Sequence, residues 1–187
     1  MSRVDPCLFY SKTVICVFYV DDCLLWSKSQ SEIDKLLESF EKDGDKFNWE
    51  FTKQGEVAEF LGIEVVSVDG GFHFKQTGLI KKILEYTGMT KCNEKSTPTK
   101  VEAPLGTNPN RVPWKFAHKW NYASAVGMLL YLTHTMPDIS FAVHQCARFT
   151  HGPKASHEEA LLRICCYLQG DKTMGLIYKP SKELQVD

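Results

Sequence analysis

The 187-residue sequence predicts an α+β protein. Three observations point there. Runs of β-branched and aromatic residues bounded by turn formers fill residues 1 to 77, and helical periodicities crowd residues 122 to 170. A proline-punctuated stretch separates the two.

CLFYS (7–11) and TVICVFYV (13–20) read as strands, and the second leads through Asp21-Asp22 into CLLW (23–26). The natural reading is a hairpin with the aspartates at its tip. Ser29 with Glu32 fits a capping box, after which Ile33, Leu36, Leu37 and Phe40 keep helical spacing as far as Gly44. Residues 47–51 (FNWEF) alternate like a strand with one wet face. EFLGIEVVSV (59–68) and FHFKQ (72–76) flank Asp69-Gly70-Gly71, a hairpin signal. Thr77 is placed to cap LIKKILEYTG, which closes near Gly88.

Pro98, Pro104, Pro109 and Pro113 then recur among Lys, Thr, Asn and Gly, so residues 89 to 113 read as a long irregular connection and a domain boundary. Three helices follow: Tyr122 to about Thr135, Pro137 to Phe149, and a third capped by Ser156 and Glu159 that runs to Gly170. GLIY (175–178) and LQV (184–186) look like the start of a new sheet.

Charge is unevenly spread. The net formal charge is −1, but residues 1 to 77 carry −6 and residues 78 to 119 carry +5. The net value argues against a wholly basic nucleic-acid binder, while the uneven distribution leaves a local basic face possible. Seven cysteines without a C-x-x-C pair suit reduced core thiols better than a disulfide framework. No apolar run is long enough to span a bilayer, so the expected setting is inside the cell, without a membrane partner.

Two adjacent carboxylates in the apolar run VFYVDDCLLW need either solvation at a turn or a cation, because burying an uncompensated charge is costly. Solvated turn aspartates are common. A hard cation such as Mg²⁺ is the other solution, usually held by one or two carboxylates together with substrate phosphates.

Tyr19-Val20-Asp21-Asp22 between apolar strands resembles the catalytic hairpin of reverse transcriptases. YVDDCLLWSKSQSEI, EFLGIEV, QTGLIKKILEYTG, STPT (96–99) and residues 122 to 178 are similar, in order and spacing, to the copia-type retrotransposon polymerase (Pol polyprotein). The resemblance implies a partial polymerase palm of antiparallel hairpins plus one helix in residues 1–77 and a helix with its connection in 78–121. It implies a helical thumb-like segment in 122–172 and, in 173–187, the start of a link toward ribonuclease H. It makes Asp21 the main Mg²⁺ ligand (Mn²⁺ as substitute) and Asp22 the second catalytic carboxylate. Tyr19 would lie near the primer end with Val20 packed beneath, and Phe60, Leu61 and Gly62 would grip the primer's terminal phosphates. The partners implied are an RNA/DNA template-primer and a dNTP, with Lys81 and Lys82 meeting the nucleic-acid backbone.

Such a site takes a third aspartate from an upstream strand, and the only acidic residue before Tyr19 is Asp5, next to Pro6. The upstream fingers and palm half and the downstream ribonuclease H are therefore expected to be missing, and the chain alone to be inactive. The alternative is a non-catalytic nucleic-acid-binding or inert retroelement remnant.

Two other groupings compete for attention. Lys81, Lys82, Lys91, Lys95, Lys100, Arg111, Lys115 and Lys119, with Trp114, Phe116, Trp120 and Tyr122, fit either backbone binding with base stacking or a solvated connection whose aromatics seed a core. His144, Cys146, His151 and His157 match no structural zinc spacing.

Overall fold

The computed structural model describes residues 1–47, 50–100, 105–106 and 120–179, with the backbone alone for 43–47. It is mixed α+β with antiparallel sheets, and divides into two compact units, Met1–Val57 and Ala58–Asp187. No helix among the described residues is long and apolar enough to cross a membrane.

In the first unit, β1 (Leu8–Tyr10), β2 (Val14–Tyr19) and β3 (Asp22–Ser27) form a meander in that order. The register sets Cys16 opposite Leu25, Phe18 opposite Cys23 and Tyr19 opposite Asp22. One face holds Val14 and Cys16, the buried apolar side chains of this unit among the described residues. The other face carries Tyr10, Ile15 and Trp26 in one cross-strand row, all exposed.

Helix α1 (Gln30–Phe47) packs on β3 and runs past Gly44. Its expected capping box does not form. The Glu32 carboxylate instead accepts from Lys35 Nζ at 2.8 Å and Thr13 Oγ1 at 3.2 Å, and Lys35 first, then Thr13, holds its pKa below the usual range. The strand expected over 47–51 is also not found. Phe47 ends the helix, Glu50 and Phe51 lie outside any strand, and Asn48 and Trp49 lie outside the described residues.

In the second unit the order of strands is β4 (Glu59–Phe60), β5 (Ile63–Val68), β6 (Gly71–Lys75) and β7 (Gly175–Tyr178), all antiparallel. GLIY thus begins no new sheet; it completes this one by pairing with β6. LQV lies outside the described residues. Helices α2 (Thr77–Thr87), α3 (Tyr122–Leu132), α4 (Ser140–Ala147) and α5 (Ala155–Gly170) surround a core that includes Ile80, Ile83, Leu129, Ile139, Leu161 and Ile164, each fully buried. A 3₁₀ turn, Pro137–Ile139, leads into α4.

Helix ends show where polar groups settle. Asn121 caps α3 by accepting from the Ser124 N–H at 3.0 Å, and Gly88 closes α2 in the left-handed conformation. Thr77 does not cap α2. Its own N–H donates to Glu64 Oε1 at 2.9 Å, so a strand carboxylate caps the helix. Ser156 and Glu159 do not form the box at α5 either: Ser156 Oγ is buried without a partner among the described residues. The acceptor is His157 Nδ1, 3.0 Å from the Lys154 N–H. Its Nε2 then donates to the Gly106 carbonyl at 3.1 Å, and the ring stacks on Phe149 at 3.9 Å.

In its described residues the proline-rich connection forms a strap along α5. Gln169 donates to the Thr90 carbonyl, the Lys95 N–H to the Cys166 carbonyl, and Arg163 to Thr97 Oγ1. Lys100 pairs with Glu159 and Gly106 meets His157, so the strap follows the helix from its C-terminal to its N-terminal end.

Burial pushes the Glu64 carboxyl up, but hydrogen bonds from Thr77 and the backbone at 77–78, with the charge of Lys75 at 3.5 Å, outweigh it and lower its pKa. A lowered folded-state value stabilises above the unfolded-state value, and that gain disappears as pH falls through the folded one. Glu64→Gln is expected to cost about 0.5–1 kcal/mol near neutrality, the size of a screened cap. The difference from the parent should close on acidification, followed by urea denaturation across pH.

Candidate active site

Strands β2 and β3 turn over just two residues, Val20 and Asp21, because Tyr19 already pairs with Asp22. Asp21 therefore occupies the turn and Asp22 opens β3. Both are exposed, and among the described residues no hydrogen bond or ion pair engages either carboxylate. Tyr19, 55% exposed, stands across the ladder from Asp22. Val20 does not pack beneath the hairpin. It sits at the tip, 85% exposed, with φ of 53°.

A β-branched residue at positive φ is strained, by about 1–3 kcal/mol for such conformations. Tight hairpins normally put glycine or asparagine there. Val20→Gly is accordingly expected to stabilise the first unit by about 1 kcal/mol after glycine's own entropy cost. A lower denaturation midpoint for the variant would contradict this.

Phe60, Leu61 and Gly62 form a second tight turn. Phe60 pairs with Ile63, and Leu61 (φ 53°) and Gly62 (φ 73°) are both left-handed, as a type I′ turn requires. The run 59–68 is thus two strands, not one. Among the described residues a Cβ on Gly62 would meet nothing within 4 Å, and its left-handed backbone is what calls for glycine. Tyr131 of α3 donates its hydroxyl to the Leu61 carbonyl, and its ring lies edge-on to His134 at 5.6 Å. Neither this hydroxyl nor the Glu64 cap is visible in local spacing, because each joins elements distant in sequence.

Lys81 and Lys82 are exposed on α2 of the second unit. Trp120 and Tyr122 are 8% and 1% exposed and belong to the core, so neither is available for base stacking. Tyr122 donates to the Cys146 carbonyl at 3.1 Å. Arg111, Trp114, Lys115, Phe116 and Lys119 lie outside the described residues. His144 bonds within its own helix to the Ser140 carbonyl and His157 is committed as a cap. Among the described residues no cluster of three or more His, Cys, Asp or Glu side chains could hold a metal ion.

On the buried face under the aspartate turn, Cys16 Sγ lies 3.3 Å from Cys23 Sγ. Burial, reinforced by the neighbouring Cys23, pushes the Cys16 thiol up to about 12. Cys23 is exposed.

The family model for reverse transcriptase (RNA-dependent DNA polymerase) matches residues 7–101. An uncharacterized mitochondrial protein of Arabidopsis thaliana is 33% identical over 89% of this chain and 66% of its own length. The retrovirus-related Pol polyprotein from transposon RE1 of the same plant is 30% identical over 92% of this chain. That from transposon TNT 1-94 of Nicotiana tabacum is 30% identical over 89% of it. The chain spans 11% and 13% of those two polyproteins. No solved structure matches.

Proposed function

Since the chain belongs to the reverse transcriptase (RNA-dependent DNA polymerase) family, we propose that it supplies the paired-aspartate hairpin of a copia-type retrotransposon polymerase. The observation that carries this is the presentation of two unpartnered carboxylates at an exposed two-residue turn. They fit a hard divalent ion as part of a donor set, since Mg²⁺ usually takes one or two carboxylates and fills its remaining positions with water and phosphate oxygens. Asp21 would be the main ligand and Asp22 the second. When bound, the ion supplies charge neutralisation and alignment of the attacking and leaving oxygens in nucleotidyl transfer.

The protein's own residues do the positioning. Tyr19, across from Asp22, borders the primer end. The Phe60-Leu61-Gly62 turn holds the primer's terminal phosphates, with palm-like strands before it and thumb-like helices after. Lys81 and Lys82 add salt-sensitive attraction to the template-primer backbone. The dNTP is the other partner, and the setting is a cytoplasmic particle or the nucleus.

Two carboxylates without a third neighbour among the described residues are too few for a two-metal centre. The 187-residue chain by itself therefore holds metal weakly and does not polymerise. Titration with Mn²⁺ should broaden amide signals from Tyr19 to Cys23, and Asp21→Ala should abolish that broadening. An unchanged wild-type spectrum at millimolar Mn²⁺ defeats the metal assignment. Extension of a primed RNA template by the isolated chain, lost in Asp21→Ala, would defeat the claim of insufficiency.

A further inference from the structure

We propose that Cys16 and Cys23 form a dithiol–disulfide site whose closure reshapes the Tyr19–Asp22 turn. The two sulfurs are 3.3 Å apart, on one face of neighbouring strands, although their backbones are not directly paired. Cys16 faces Leu25 and Cys23 faces Phe18, so the thiols meet on the diagonal. One is exposed and the other buried, which gives the pair an accessible entry sulfur and a sheltered resolving sulfur.

The oxidant is a low-molecular-weight disulfide, with glutathione disulfide as the probe. Cys23 sulfur attacks one glutathione sulfur; a Cys23–glutathione bond forms, the glutathione disulfide bond breaks and one glutathione leaves. Cys16 sulfur then attacks Cys23 sulfur, forming the internal bond and releasing the second glutathione. The protein loses two electrons and two protons, and both end on the two glutathione thiols.

Closure has to draw the sulfurs together by about 1 Å, to the ~2.05 Å of a disulfide. Diagonal neighbours in an antiparallel ladder lie near or beyond the comfortable reach of such a bond, so the strands shift and the product is readily reduced. Only the Tyr19–Asp22 pair separates Cys23 from the turn, and Val20 at that turn is already strained. The displacement therefore reaches the aspartates directly, whatever ligand they hold.

The test exposes the full chain to glutathione disulfide, blocks the remaining thiols, maps peptides by mass spectrometry and records amide spectra. Two of the seven thiols should be lost, with a cross-linked peptide joining 16 and 23. Signals from Tyr19 to Asp22 should move and return on adding dithiothreitol. Cys16→Ser should stop at a persistent Cys23–glutathione adduct. The proposal falls if the wild type also stops at that adduct, if oxidation joins Cys92 to Cys166 instead, or if the internal bond forms while the turn signals stay put. None of these readouts uses metal or polymerisation, so failure here and failure of the metal assignment are separately visible.

Discussion

Leu129→Ala should lower the stability of the second unit by about 2–5 kcal/mol, the range for truncating a buried leucine. Leu129 is fully buried in α3, within the cluster that joins α2, α3, α4 and α5. Truncation forfeits the transfer energy of the removed carbons and leaves a cavity that four packed helices fill poorly. Against a typical total of about 5–15 kcal/mol that loss is large. Urea denaturation followed by circular dichroism should show a lower midpoint with little change in slope. Met128, one position earlier and only half-buried, should tolerate the same truncation much better.

Gly175→Ala is expected to weaken or detach β7. A Cβ at Gly175 would run into the carbonyl oxygen of Phe74 and stand 2.9 Å from both Lys75 Cβ and His73 Nε2. The first obstacle is backbone, so relief requires the strands to separate, at a cost of about 1–3 kcal/mol typical of overpacking. Gly71, across the same ladder, is equally hemmed in by the Tyr178 carbonyl. Gly127 makes the contrast: it lies in α3 with nothing among the described residues within 4 Å of an added Cβ. Gly127→Ala should stabilise by up to about 1 kcal/mol through helix propensity. Hydrogen exchange at the amides shared by β6 and β7 should accelerate in Gly175→Ala and stay slow in Gly127→Ala.

Local patterns carried the aspartate hairpin well. Continuous apolar runs on both sides of Asp21-Asp22 place the turn within a residue of where it lies, and Gly88 marks the end of α2 for the reason that makes it a good left-handed cap. Features resting on distant partners were not legible. Leu61 has no intrinsic preference for positive φ, so the turn at Leu61-Gly62 reads as unbroken strand. Composition marks residues 89–113 as a linker because prolines and threonines say nothing about a helix lying alongside the described part of it. At α5 and α2 the expected serine and threonine caps do not form, and His157 and Glu64 instead accept from the Lys154 and Thr77 N–H groups at the helix starts. The two candidate turns divide likewise: in the first unit the carboxylates announce themselves, whereas in the second the hydroxyl of Tyr131 on the Leu61 carbonyl emerges only from the fold.

The late arrival of β7 matters for how the chain is made. While ribosomes are still translating the helices, β6 offers its outer hydrogen-bonding edge to any strand nearby, since its partner, Gly175–Tyr178, has yet to emerge. The strap waits too, because α5 is synthesised after it. Nascent chains should therefore pass through an adhesive interval in which chaperone occupancy peaks, ending once residue 178 clears the exit tunnel.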